Sequence, residues 1–387
     1  MNPGLDKITI KGLKVISIDF QTLKSNANVT ISYGHISSPH VFMDGDMPVS
    51  SLKIEDNQKF LDLAIGLKTL PQGGTIRYCL LTLCVKFRDG NNTISLSTDE
   101  YKNYIDCVLS YVEDKYGIII SVGSETKYDY MEIAYTIPMF LNQISFRNMG
   151  SLMMSFLSKR YKEETSVCSL DNSHIDDVLK KETKTKYPKE YSRGNNSISY
   201  VIYVKSGTDC WGKYHADPQN HLIRFELRLK TAAKIKSFFG TNLLSEIDDG
   251  MIVSAFCDFH QSLKNKWVEW IIDSNKVIQS VIKKGRKDHP YIWMHYVIST
   301  LDALADKKGL PIVIDFNQIK DALPSNKDLG RNKSKIIKSL QDQIVKKQHQ
   351  YWLSGDVKMI QSVFDSLEQI SRNNNPPFSR TSAPENP

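Results

Sequence analysis

The stretch "NHLIRFELRLKTAAKIKSFFG", residues 220–240, decides the fold class. Leu222, Phe225, Leu227 and Leu229 are apolar, and from Arg224 onward Arg224, Glu226, Arg228 and Lys230 interleave with them. That is a period of two, the signature of a β-strand with every charge on one face. A carboxylate between two arginines on that face is well fixed. It is either a solvated ion-pair partner, which contributes ~0–1 kcal/mol, or it is aimed at something.

Two other stretches repeat the pattern. "YDYMEIAYTIP", 128–138, sets Glu132 among apolar neighbours, and Pro138 ends it. "SISYVIYVK", 197–205, places Tyr203 and Lys205 two apart, on one face of a strand. Further strands are expected in "DKITIKGLKVISIDF", "NVTISYGHI", "GIIISVGS" and the largely apolar, central "TIRYCLLTLCVKF". Helical spacing appears in "DEYKNYIDCVLSYVEDKYG", which an acidic pair opens and Gly117 closes. "MFLNQISFRNMGSLMMSFLSKRYK" also predicts a helix, with its Met and Phe stripe in a core. The polar run 163–196 predicts a long surface excursion.

After Gly240 the pattern becomes helical and lysine-rich, and "RNNNPPFSRTSAPENP" has the composition of a disordered tail. The expected architecture is α+β: an antiparallel sheet of about five or more strands with flanking helices, then a helical basic region. The expected divisions are 1–240, 241–371 and 372–387.

Composition narrows the function classes. The 387 residues are 41% hydrophobic and 24% charged, with net charge +7, which is ordinary for a globular protein and compatible with a nucleic-acid partner. The six cysteines form no C-x-x-C pair, so neither a zinc knuckle nor a redox motif is indicated. No apolar run approaches the ~18 residues of a spanning helix, and the opening residues lack a signal pattern. A reduced cytoplasm, without a membrane partner, is expected.

The three alternating strands suggest a chemistry. If they are neighbours, Glu132, Glu226, Tyr203 and Lys205 converge on one sheet face. Carboxylates suit a hard divalent cation, Mg²⁺ or Mn²⁺, which also binds substrate phosphate. A tyrosine hydroxyl is a nucleophile when deprotonated or partnered, and an ammonium such as that of Lys205 favours the phenolate. Packing alone also accounts for tyrosine in strands.

The same residues carry a resemblance. Ile223, Arg224, Phe225, Glu226, Leu227, Arg228, Leu229 and Lys230, followed by a basic stretch closing at Phe239 and Gly240, resemble the gene II replication initiators of filamentous bacteriophages and their plasmid relatives. "MDGDMPVSSL" (43–52), "CVKFRDGNN" (84–92) and "YVIYVK" (200–205) are similar to further segments of that family, in the same order. The resemblance spans about 43–240. It implies a rolling-circle initiator with a single-strand nickase-like palm. Such a protein nicks one strand of duplex origin DNA, stays linked to the 5′ phosphate through tyrosine, and later cuts and rejoins the displaced single strand. A host helicase and polymerase are implied partners.

By position, the resemblance makes Tyr203 the nucleophile, with Lys205 assisting, and Glu226 a metal ligand. Where the family reads Arg-Ile-Asp, this chain has Tyr130-Met131-Glu132, a carboxylate one methylene longer. No His-apolar-His pair is present, so His40 and His215 are the candidate third ligands. Candidate DNA contacts are Lys86, Arg224, Arg228 and Lys230, with Lys283, Lys284, Arg286 and Lys287 in "KKGRKDH" and Arg331, Lys333 and Lys335 in "GRNKSKIIK". A non-catalytic origin-binding or copy-control protein needs only the lysine clusters. A metal-dependent nuclease that uses water needs only the carboxylates.

Overall fold

The computed structural model describes residues 2–34, 41–56, 61–69, 75–84, 95–138, 149–150, 153–154, 156–157, 162–166, 190–205, 222–284, 299–300, 303, 312–314, 335, 338 and 351–374. The chain divides into two compact units: Met1–Phe140 with Arg160–Phe256, and Leu141–Lys159 with Cys257–Pro387. The boundary expected at 240 therefore falls inside the first unit.

The first unit is built on one sheet of eleven strands among the described residues. In chain order the strands are β1 (Gly4–Lys11), β3 (Val29–Tyr33), β4 (Phe42–Asp44), β5 (Met47–Asp56), β6 (Leu61–Thr69), β7 (Thr75–Cys84), β9 (Lys127–Pro138), β10 (Lys162–Ser166), β11 (Glu190–Gly194), β12 (Ile198–Lys205) and β13 (Leu222–Leu229). Across the sheet the order is β10-β11-β12-β13-β9-β1-β7-β6-β5-β3, with β4 on β5, and every pairing is antiparallel. The α+β class and the large antiparallel sheet match the sequence reading. The three alternating stretches lie side by side as β12, β13 and β9, and "TIRYCLLTLC" is interior, between β1 and β6.

Alternation on these strands separates the faces as the period of two requires. One face carries Tyr200, Ile202, Ile223, Phe225, Leu227, Leu229, Met131 and Ile133, all buried. Helix α1 (Phe20–Lys24), helix α2 (Thr98–Tyr116) and β8 (Ile118–Ser121) belong to the same unit. Ser97 and Glu100 form a reciprocal capping box at the start of α2, and Gly117 ends it at φ 67°, a left-handed conformation suited to glycine. Tyr101, Ile105, Val108, Val112 and Tyr116 recur at helical spacing and are buried. Helix α3 (Ala232–Phe239) starts on a Thr231 cap and packs Ile235 and Phe239 inward beside β9 and β13.

Four local differences from the sequence reading have physical causes. "DKITIKGLKVISIDF" is two strands, because Gly12 at φ 80° turns the chain; β2 (Lys14–Ile18) then pairs with β8 and not with the main sheet. Residues 163–166 and 190–194, expected in a surface excursion, lie in β10 and β11 at one end of the sheet, β10 being the edge strand; strands at a sheet edge tolerate the polar composition that argued for a loop. Helix α5 (Ser354–Asn374) continues past 372, where the tail was expected to begin. In the helical basic part, β14 (Ile312–Ile314) pairs in parallel with β15 (Tyr351–Leu353). Of the helix expected after Pro138, residues 149–150 and 153–154 are helical and most of the rest lies outside the described residues.

In the second unit, α4 (Asp249–Lys284), which begins in the first, and α5 bury Trp267, Phe364 and Leu367. Trp267 packs edge-on against Phe156 at 6.0 Å and donates to Gln361 Oε1 at 3.2 Å. Among the described residues no helix is long and apolar enough to cross a membrane.

A buried polar cluster ties β5 to α2. Asp56, whose side chain is 0% exposed, accepts from Tyr111 at 2.7 Å, Tyr116 at 2.8 Å and Lys115 at 2.9 Å. Burial pushes its carboxyl up, but the three donors outweigh burial and hold it at about 2. A depressed carboxyl stabilises the fold above its unfolded pKa, and that stabilisation is lost as pH falls toward the folded value. Asp56→Asn is predicted to destabilise the protein by about 1.5–3 kcal/mol at neutral pH in urea unfolding. The gap from wild type should narrow below about pH 4.

Candidate active site

The opposite face of the sheet is polar and covered. Register aligns Tyr203 with Arg224 and Thr136; Val201 with Glu226 and Ala134; and Ser199 with Arg228, Glu132 and Lys7. Neighbours directly opposite lie close enough to interact, and the three rows hold six polar groups that bond one another. Arg224 and Glu226 are 0% and 1% exposed, and Glu132 is 8% exposed.

Asp6 joins them from β1. The pairing of β1 with β9 slips between Leu5 and Lys7, a bulge that leaves Asp6 as the extra residue. Bulges re-aim side chains. This one sends Asp6 to Arg224 at 2.6 Å, while Lys7 stands 6.0 Å from the Tyr130 ring centroid. Tyr101 of α2 donates to the Asp6 carbonyl at 3.2 Å and to that of Leu83 at 3.1 Å, which fixes the backbone there. Ligand oxygens of Asp6, Glu132 and Glu226 all lie within 4.8 Å of one another.

Two guanidiniums hold the three carboxylates. Arg224 Nε donates to Glu226 Oε1 at 3.1 Å, and its Nη1 is 3.4 Å from Thr136 Oγ1. Arg228 donates from Nη2 and Nε to Glu226 Oε2 at 2.7 and 3.1 Å, and its Nε lies 3.3 Å from Glu132 Oε1. The Tyr203 hydroxyl donates to Glu226 Oε1, and the Tyr130 hydroxyl donates to Glu132 Oε1. With all groups ionised, three carboxylates against two guanidiniums leave one net negative charge.

That charge does not spread evenly. Burial pushes Glu226 up, but Arg224 and Arg228 outweigh it and hold the carboxyl below its ordinary value. Glu132 is pushed up to about 7, first by burial and then by Glu226; Arg228 only partly offsets this. Burial and the Glu226 charge raise Tyr203 well above its ordinary value. This corrects the expectation of a favoured phenolate: the phenol is neutral and hydrogen-bonded to a carboxylate, so a proton must leave when it attacks. Glu226 is the acceptor already in place.

Of the two arginines expected on DNA, Arg224 is fully buried on Asp6 and Glu226, and Arg228, partly exposed, is directed at Glu226 and Glu132. Alternation gives the face of a side chain, not whether that face is covered. Lys230 is exposed just past β13, and Lys335 is exposed on helical backbone. Lys205 closes β12 opposite Leu222, and Lys283 and Lys284 end α4; the side chains of these three lie outside the described set. His40, Lys86, His215, Arg286, Lys287, Arg331 and Lys333 lie outside the described residues.

The comparisons with known proteins add little to this geometry. Among solved structures, a rolling circle replication initiator protein from Geobacillus stearothermophilus is similar in part, 11% identical, covering 60% of this chain and 76% of that one at a TM-score of 0.27. No protein-family model matches the chain, and no curated protein matches it. At that score the likeness fixes neither topology nor residue roles, which rest on the local geometry.

Asp6 was missed by sequence reasoning. It sits in "GLDKITIK", where strict alternation puts it on the face of Ile8 and Ile10, and only the bulge moves it. The available signal was a carboxylate out of phase in an otherwise apolar-alternating strand.

The raised Glu132 carboxyl has a sign that can be checked. Between its ordinary value of 4.5 and about 7 the folded chain holds a proton that the unfolded chain has lost, so stability falls as pH rises through this window. In chelator-treated protein, urea midpoints of Glu132→Gln are predicted to lose this slope, so that the variant gains on wild type from pH 5 to pH 8. A Gln variant with the wild-type slope would assign the titration elsewhere.

Proposed function

We propose that this chain initiates rolling-circle DNA replication by nicking one strand of an origin through Tyr203 and later rejoining it. The observation that carries the reading is the Tyr203 hydroxyl, half-buried on a strand and donating to Glu226 inside a cluster of three carboxylates and two arginines. The resemblance of residues 222–240 to gene II initiators supports it independently.

The residues perform the reaction as follows. A rigid interior strand holds the Tyr203 oxygen in one place, which favours in-line approach to a phosphate. As the oxygen attacks phosphorus, its proton passes to Glu226 Oε1. The P–O3′ bond breaks, leaving a 3′ hydroxyl and a 5′-phosphotyrosyl ester. The ester retains the energy of the phosphodiester, so return of a 3′ hydroxyl closes the strand without ATP. Arg224 and Arg228 fix Glu226 and keep it ionised.

The donor set fits a hard divalent cation. Asp6, Glu132 and Glu226 offer oxygen ligands within 4.8 Å of one another and one net negative charge after pairing with the arginines. These three would hold Mg²⁺ or Mn²⁺, with Asp6 supplying a third ligand for which histidine was expected. Such a cation, when bound, polarises a phosphate oxygen and offsets developing charge. Origin duplex and displaced single strand are the proposed DNA partners, and a host helicase and polymerase act with it. The site of action is the bacterial cytoplasm. Lysine clusters at 283–287 and 331–335 supply phosphate contacts in this reading, as Lys86 and Lys230 do.

Two readings compete. A non-catalytic binder has no use for a buried tyrosine–glutamate pair. A nuclease that activates water has no use for Tyr203. Incubation of radiolabelled origin DNA with protein and Mn²⁺, followed by denaturing electrophoresis, separates all three. Wild type is predicted to carry label; Tyr203→Phe and Glu226→Gln should lose it by at least 100-fold, a loss on the scale of one general-base or positioning group, while still shifting origin DNA on native gels. Nicking without label would favour water, and no nicking at all would favour the binder.

The basic clusters make a separate prediction. Replacing Lys283, Lys284, Arg286 and Lys287 by glutamine should flatten the slope of log K against log salt by ~0.9 for each phosphate that these side chains neutralise on duplex DNA. An unchanged slope would mark the cluster as a solvated surface.

A further inference from the structure

The polar face contains a second tyrosine in the same setting as the first. Tyr130, on β9, donates its hydroxyl to Glu132 Oε1 as Tyr203 donates to Glu226 Oε1. Arg228 bridges the two carboxylates, with Nη2 at 2.7 Å from Glu226 Oε2 and Nε at 3.3 Å from Glu132 Oε1. The result is a chain of contacts, Tyr203–Glu226–Arg228–Glu132–Tyr130, with a phenol at each end. Both tyrosines are half-buried, whereas Tyr200 and Tyr128 nearby are fully buried. Tyr130 also has a cation, Lys7, 6.0 Å from its ring centroid. Two hydrogen bonds and the carboxylate gap put the hydroxyls on the order of 10 Å apart.

We propose that Tyr130 is a second nucleophile, which takes up a DNA strand while Tyr203 is already esterified. The inference rests on the nicking function proposed above. Its chemical motive is simple. Once Tyr203 carries a 5′ phosphate, its oxygen cannot attack again, yet the regenerated origin must be cut before the displaced strand can close. Tyr130 Oη attacks phosphorus at that second origin, and its proton passes to Glu132. The P–O3′ bond breaks and the new 5′ end becomes a Tyr130 ester. The released 3′ hydroxyl then attacks the Tyr203 ester; the P–O bond to Tyr203 breaks, the strand closes, and the phenol recovers a proton. Every step is a phosphoryl transfer in which one ester replaces another, so no oxidant, reductant or nucleotide is consumed.

A bland role exists for Tyr130: to orient Glu132 and nothing more. The test separates the roles by location of a covalent bond. Full-length wild type is loaded with one origin oligonucleotide that begins only a few nucleotides 5′ of the nick, so that the short product bearing the 3′ hydroxyl diffuses away and Tyr203 stays esterified. A second oligonucleotide of the same design and different mass is then added with Mn²⁺, so that its short 3′-hydroxyl product also diffuses away and leaves the Tyr203 ester intact. Protease digestion and mass spectrometry locate the phosphotyrosyl peptides. The proposal expects the first mass on the peptide with Tyr203 and the second on the peptide with Tyr130, on the same molecules. Tyr130→Phe should lose the second adduct relative to the first, together with strand closure in the two-origin reaction; equal loss of both adducts would leave Tyr130 only the orienting role and overturn the inference. Mapping of the second adduct to any other residue, or its formation by Tyr130→Phe, overturns the inference and leaves the Tyr203 reading standing. A first adduct that never forms on wild type overturns both.

Discussion

The pairing of Glu226 with Arg224 and Arg228 is the interaction on which the rest of the site depends. A carboxylate at 1% exposure is costly to ionise unless cations are in contact with it, and here one guanidinium lies on each side. The same guanidiniums reach outward, Arg224 to Asp6 and Arg228 to Glu132, so four strand-borne groups are fixed through one residue. Such buried networks are rarely the cheapest way to stabilise a sheet: packed apolar residues often do as well or better. Five buried or half-buried charged groups on one face, opposite a fully apolar face, therefore point to a chemical purpose. Removal of either arginine would leave charge unpaired in a covered site, at a cost of about 3–5 kcal/mol.

The fold supplies what the cluster needs. Strands β12, β13, β9 and β1 are all interior to the sheet, so neither ladder edge is free to shift. Tyr203 and Glu226 are separated by 23 positions in sequence but are diagonal neighbours on adjacent strands. The bulge at Asp6 is pinned by Tyr101 from α2, whose own ends are set by a capping box and a left-handed glycine. Geometry at the site is thereby tied to the local propensities of a helix.

Much of this was legible in the sequence. The period of two in "LIRFELRLK" gave the strand and put Arg224, Glu226 and Arg228 on one side, and the same rule placed Tyr203 and Glu132. What alternation cannot contain is the state of the polar face. Exposed and covered polar faces have the same pattern, so Arg224 looked like a DNA contact although it is an internal counter-ion. Register slips are equally silent: one extra residue in β1 moved Asp6 across the sheet. The tyrosine ionisation state depends on the same covering: a lysine partner favours the phenolate, whereas burial and a carboxylate accepting the hydroxyl proton favour the neutral phenol.

The most direct measurement of the central claim is the stereochemistry at phosphorus. An origin strand with a single chiral phosphorothioate at the scissile position is cut and rejoined by the protein, and the configuration of the rejoined linkage is read by stereospecific nuclease digestion. Attack by Tyr203 inverts phosphorus once, and return of the 3′ hydroxyl inverts it again, so the account predicts net retention. A joined strand with inverted configuration would mean a single displacement without a tyrosyl ester and would contradict it.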